Sequence, residues 1–236
     1  MKWTDEGIIL ALRPLGEGGW IASLLTRKHG RHVGVLKVTP KNRHSLQPGI
    51  VTQAIWRARL SEHLGTWSLE ATSNWALWFH DSLKLAALSS AVTLTDKLLP
   101  ERHPYEDLYE LLHNFITFYL MGAQWLKAYV NYEMALLEML GFGLDLSSCV
   151  VTGSQEDLIY ISPKSGRSVS REAAVGYESK LLPLPCYWRS PMESPPDHQL
   201  FQGLQVTGHF LAKHLTENGL PHIRSHLLNL LGYSST

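Results

Sequence analysis

From residue 18 to residue 61 the sequence holds no aspartate and no glutamate. Cysteine is nearly absent too, with only Cys149 and Cys186. The two could form one disulfide, but nothing argues for an oxidising compartment, so both are expected as free thiols. Apolar runs are broken well short of the roughly 18 residues needed to span a membrane. The opening Met1-Lys2-Trp3-Thr4-Asp5-Glu6 lacks the apolar core of a signal peptide, and a cytoplasmic protein is expected. There is no Gly-x-Ser-x-Gly elbow. Gly16-Glu17-Gly18-Gly19 is glycine-rich, but no lysine follows at the spacing of a phosphate loop. These absences leave little support for a membrane protein, a disulfide scaffold or an enzyme, and no cofactor is expected.

The acid-free stretch is rich in the opposite sign. It carries Arg27, Lys28, Arg31, Lys37, Lys41, Arg43, Arg57 and Arg59. The 236-residue chain is formally neutral, yet residues 1–80 hold 10 Lys/Arg against 5 Asp/Glu, and residues 81–236 hold 11 against 16. Segregated positive charge attracts polyanions, phosphate backbones foremost. The plainer alternative is a solvated basic face on a small β domain.

The first 80 residues read as strands. Ile8–Leu12, Trp20–Thr26, Val33–Leu36, Val51–Leu60 and Trp67–Ala71 are short apolar or alternating runs. Lys28-His29-Gly30 and Gln47-Pro48-Gly49 supply turns between them. Five such strands suggest a closed or partly open barrel. Residues two apart on a strand point the same way, so Arg57 and Arg59 are expected on one face and Trp56 and Leu60 on the other. Trp20, Trp56 and Trp67 are candidate base stackers, with burial in the core as the alternative.

The pattern changes near residue 75. Leu83–Leu99 reads as a helix stopped by Pro100. Pro104 suits a first helical residue, followed by Glu106 and Asp107 near the helix's positive end. That helix should run to about Leu120, and a third from about Ala123 to Leu140, ended by Gly141 and Gly143. Helix is expected again from Leu200 to Thr216 and after Pro221. In between, residues 149–173 have the outline of a zinc knuckle without its ligands. Cys149 stands alone, while Thr152, Ser170 and Ala173 occupy the positions where partners would sit. The histidine pairs His209/His214 and His222/His226 lack the acid a zinc protease needs. No metal site is expected.

The run Asp5–Leu10, the strand and turn Leu24–Arg31, Tyr132–Leu137 leading to Leu140-Gly141-Phe142-Gly143-Leu144-Asp145-Leu146, then Val151-Thr152-Gly153 and Tyr160–Arg167, resemble the RecO family of bacterial recombination mediators. The chain looks like the alphaproteobacterial branch, whose members have also lost most knuckle cysteines. The resemblance implies an α+β protein: an N-terminal OB-fold β-barrel (1–80), then an α-helical domain (81–236) with a degenerate, cysteine-depleted zinc-knuckle insertion at 144–182. It implies binding of single- and double-stranded DNA, strand annealing, and help in loading RecA onto DNA coated by single-strand-binding protein (SSB). The implied partners are RecR, RecF in some cases, and the acidic SSB C-terminal tail. For that tail, a pocket lined by Phe142 and Leu144 with Lys127 as cationic anchor is expected. Asn131 stands where many relatives carry an arginine tied to the tail. The alternative from another class is an RNA-binding barrel with a helical interaction module.

Overall fold

Ile8, Ile9 and Leu10 are buried on both faces of one strand, and the barrel is built around them. That strand, β1 (Lys2–Leu15), pairs antiparallel through its first half with β4 (Val51–Arg57) and through its second half with β2 (Gly19–Thr26). An irregularity between Ile9 and Ala11 marks the change of partner, as a bulge bends a strand. β2 returns as β3 (Gly30–Lys37), β3 lies parallel to β5 (Gly65–Ala71), and β5 closes on β4. The result is a closed barrel in the order β1-β2-β3-β5-β4. The computed structural model describes residues 1–16, 19–39, 42, 45–60, 63–72, 81–214 and 219–232.

β1 begins at Lys2, six residues before the expected start, because Trp3 and Asp5 alternate toward the barrel interior at its mouth. β4 ends at Arg57 rather than Leu60. Its partner strand has run out there: the N-terminal ammonium of Met1 donates to the Ala58 carbonyl. Arg59 therefore lies beyond the strand, and the expected shared face with Arg57 does not form.

Contacts divide the chain into two compact units. The first, Met1–Met121 with Pro221–Thr236, joins the barrel to three helices. α1 (Ser82–Leu98) starts where the Asp81 carboxylate accepts the Lys84 backbone N–H at 3.1 Å. Ala87, Leu88, Ala91, Val92 and Leu94 are buried, and α1 packs on β1 and on α5 (His222–Leu230). α2 (Glu106–Asn114) passes directly into a π-helical turn, Phe115–Tyr119. Pro104 is not its first residue. Residues 101–103 are held against the barrel, with the Arg102 N–H on the Arg31 carbonyl at 2.7 Å, and the helix begins only after Tyr105. Gly30 makes this approach possible. Its φ is +72°, and a Cβ there would lie 1.9 Å from the His103 carbonyl oxygen.

The second unit is Gly122–Leu220. α3 (Trp125–Met139) buries Leu126, Tyr129, Val130, Leu136 and Leu137, and α4 (Asp197–His214) packs along it. Glu133 is fully buried between them, its carboxylate accepting the hydroxyls of Tyr129 and Thr207. Across residues 158–183, one position beyond the expected 144–182 insertion, a small sheet forms from β6 (Leu158–Ile161), β7 (Ser168–Ser170) and β8 (Leu182–Pro183), in the order β7-β6-β8. The expected end of α4 near Thr216 lies outside the described residues. No helix among the described residues is long and apolar enough to cross a membrane.

Candidate nucleic-acid interface

Among the described residues, the barrel's cations fall into two groups. On the β1-β2-β3 side they meet carboxylates. Arg13 pairs with Asp96 of α1 at 3.0 Å. Arg31 bonds the same carboxylate at 3.4 Å, Glu101 at 3.4 Å, the Leu99 carbonyl at 2.8 Å and the Ser23 hydroxyl at 3.3 Å. Arg27 lies 3.0 Å from both Glu6 and Glu110 and stacks over Tyr109 at 5.2 Å. Burial and the neighbouring Glu6 carboxylate, which accepts the Tyr109 hydroxyl at 2.9 Å, keep that phenol protonated. Arg27 and Arg31, both expected to contact phosphate, are thus engaged in docking the barrel on its own helices.

The other side is different. Alternation along β4 and β5 puts Trp56 and Trp67 inside and Arg57, Thr66 and Ser68 outside. Arg57 is opposite Lys2 on β1 and Thr66 on β5. Lys37 follows Leu36, which faces Trp67, so it points outward one step along the same surface. Strand spacing places Lys37 and Arg57 about 12 Å apart, with Thr66 and Ser68 of β5 between them among the described residues. Glu70 is the carboxylate on this outer surface of β5, and it is opposite Gln53 rather than Arg57. Lys2, Lys37 and Arg57 are exposed and form no ion pair among the described residues. Lys28 and Arg59, also exposed, lie at the adjoining end of the barrel, on the β2–β3 turn and just past β4. Lys41 and Arg43 lie outside the described residues. Lys2 escaped the sequence reading because Asp5 and Glu6 follow it closely; only the strand register shows that it joins Arg57.

Of the expected stackers, Trp56 and Trp67 are core residues at 2% and 6% exposure. Trp67 donates its indole N–H to the Ala22 carbonyl, and Gly65 leaves room for the Trp56 ring. Trp20 is half-buried and lines a shallow groove with Leu12, Val38, Leu46 and Pro48. Trp3, which the sequence reading passed over, is packed between His29 and Trp56 at the barrel mouth.

In the second unit, Lys127 is not brought together with Phe142 and Leu144. It sits near the start of α3, and Phe142 lies past its end, about 18 Å of helix away. The Lys127 ammonium caps the carbonyls of Met192 and Glu193 at 2.7 and 2.9 Å. Phe142 instead stacks on His214 at 3.8 Å, beside Phe210, and the cation over Phe210 is Lys213. Burial, with Lys213 and His209 nearby, holds His214 below the ordinary imidazole value. Leu144 packs at Gly166.

The knuckle positions do not fit a zinc ion: they offer one thiol, two hydroxyls and a methyl group. Among the described residues no group of three His, Cys, Asp or Glu converges as a metal site. Ser170 instead donates its N–H and hydroxyl to the Cys149 sulfur at 3.3 and 3.4 Å. Burial opposes ionisation of that thiol, but the bonds from Ser170 and Thr152 outweigh it and bring the value down to about 6. A thiol-centred hydrogen-bond cluster holds together the two turns that a zinc knuckle would tie with metal.

Fold and surface together define an OB-like barrel protein with one cationic, outward strand face and a helical remainder. Residues 1–74 match the family model described as recombination protein O N terminal, and residues 80–223 match recombination protein O C terminal. The chain is 41% identical to DNA repair protein RecO of Rhodospirillum rubrum, over 98% of this chain and 96% of that one. It is 40% identical to DNA repair protein RecO of Cereibacter sphaeroides, over 98% of both chains. For DNA repair protein RecO of a Bradyrhizobium species the identity is 42%, over 92% and 89%. The chain belongs to the RecO family of DNA repair proteins.

Proposed function

We propose that this protein is a non-catalytic, cytoplasmic recombination mediator whose barrel module, residues 1–80, binds DNA through the outward face of β3, β5, β4 and β1. The observation that carries the reading is the row Lys37, Arg57 and Lys2, exposed and without carboxylate partners among the described residues. Lys28 and Arg59 extend it around the barrel end. Phosphates along such a face are neutralised without base readout, so single and double strands both bind, and complementary strands held on one surface can anneal. Assistance in loading RecA on SSB-coated DNA, with RecR and RecF, rests on family membership. For the acidic SSB tail we propose the step at Phe142 and Leu144. Lys213, whose ammonium lies over the neighbouring Phe210 and, like that of Lys127, donates to two backbone carbonyls, is a closer cation for it than Lys127. The test is salt-dependent binding of a fluorescent single strand, with and without SSB, and with an RNA competitor of equal length. DNA binding that weakens steeply with salt is expected. RNA displacing the DNA at equal concentration would overturn the choice of DNA.

A further inference from the structure

The mouth of the barrel holds an aromatic column. The Trp3 ring lies between His29, 3.9 Å away and inclined by 6°, and Trp56, 5.5 Å away and inclined by 20°. Trp67 and His32 meet the Trp3 edge at 5.6 and 5.1 Å and fix it sideways. The column therefore ends outward in His29, on the β2–β3 turn. That imidazole is clamped. Its Nδ1 lies 2.9 Å from Asp5, a buried carboxylate that also accepts the Lys28 backbone N–H. With one face on Trp3, one edge on Asp5 and His32 meeting it edge-on at 6.3 Å, His29 still leaves 34% of its side chain exposed. A flat, immobilised ring that caps a stack and still shows a face to solvent can take one more flat ring.

The charge around this ring states which flat ring that is. Lys28 precedes it in the chain and is exposed. Lys2 adjoins Trp3, and Arg57 is register partner to Lys2. The turn that carries His29 is tied to Asp5 of β1 through the Lys28 N–H, so it lies at the same end of the barrel as Lys2 and Arg57. Bases in a duplex already have both faces covered by their neighbours, so only an unpaired base has a face to give. We infer that His29 is a stacking site for one unpaired nucleobase of a single strand lying across the Lys2–Arg57 surface. The inference rests on the DNA-binding reading and adds to it a group that separates single strands from duplex.

The test uses the full chain and three labelled probes with equal numbers of phosphates: a (dT)15 strand, the same strand with abasic sites throughout, and a duplex. His29→Ala should weaken (dT)15 binding by about five- to thirtyfold, and leave the abasic strand and the duplex within twofold. His29→Phe, which restores a ring above Trp3, should recover most of the (dT)15 affinity. Irradiation of the wild-type complex with a 5-iodouracil strand should crosslink the turn peptide that contains His29, a readout that does not depend on any variant folding. Equal (dT)15 affinity in wild type and His29→Ala, an equal loss on the abasic strand, or crosslinks that omit this turn would overturn the stacking site. A wild-type protein that binds none of the three probes would overturn the DNA-binding reading beneath it.

Discussion

Among the described residues, two sides of one barrel carry similar numbers of cations and use them differently. On the β1-β2-β3 side, Arg13, Arg27 and Arg31 face Asp96, Glu101, Glu110 and Glu6. On the β3-β5-β4-β1 side, Lys37, Arg57 and Lys2 face solvent across Thr66 and Ser68. The acid excess of residues 81–236 is thus not only a solvated surface. Part of it is the complement that docks the helices on the barrel. Charge segregation along a chain predicts a polyanion partner only for cations that the chain's own acids leave uncovered.

The comparison breaks most severely at the place where barrel and helices touch. Gly30→Ala puts a methyl group against the His103 carbonyl at a positive φ, and should cost at least about 3 kcal/mol. Urea unfolding measures it, and a loss below about 1 kcal/mol would show that the approach is not tight. Next is Arg31→Met. Asp96 is only 6% exposed and would keep Arg13 alone, so a loss of about 2–4 kcal/mol is expected. DNA affinity of the folded fraction should not change.

His32 tests the barrel interior between the two sides. Burial foremost, then the charges of Arg102 and His29, lowers its value from 6.5 to about 4. The unfolded chain therefore binds more protons than the folded one between pH 6.5 and 4. The stabilising effect is complete above pH 6.5 and is lost as pH falls toward 4, by up to about 3 kcal/mol. His32→Phe should flatten the pH dependence of the urea midpoint in that window; identical slopes in both proteins would rule His32 out. The smallest effect is expected for Arg27→Ala. Its two carboxylate partners are partly exposed, and about 1 kcal/mol or less should be lost, seen as a small shift in melting temperature.

Much of the fold was legible because hydrophobic period and turn residues agree locally. The apolar runs Ile8–Leu12 and Trp20–Thr26, the turn at Gly30, and the α3 stripe all appear where the sequence placed them. The strands of 158–183 were not legible, since each is four residues or fewer and is defined by pairing across a knuckle-like loop. The excess of cations was legible in composition, but their partners were not. Arg57 and Lys37 are exposed as expected, whereas Arg27 and Arg31 have the same local sequence character and differ only in what a distant helix brings to them. His29 gave no signal at all in one dimension, because its role depends on Trp3, 26 positions earlier, lying beneath it.

We propose that only the solvent-facing cations hold phosphate. This is tested most directly by the slope of log affinity against log salt for a labelled single strand. Lys2→Ala, Lys37→Ala and Arg57→Ala combined should flatten that slope by about 2, near 0.7 for each lost contact, while Arg27→Ala leaves it at the wild-type value. A wild-type slope in the triple variant, or a clear flattening in Arg27→Ala, would show that phosphate is held elsewhere on the protein.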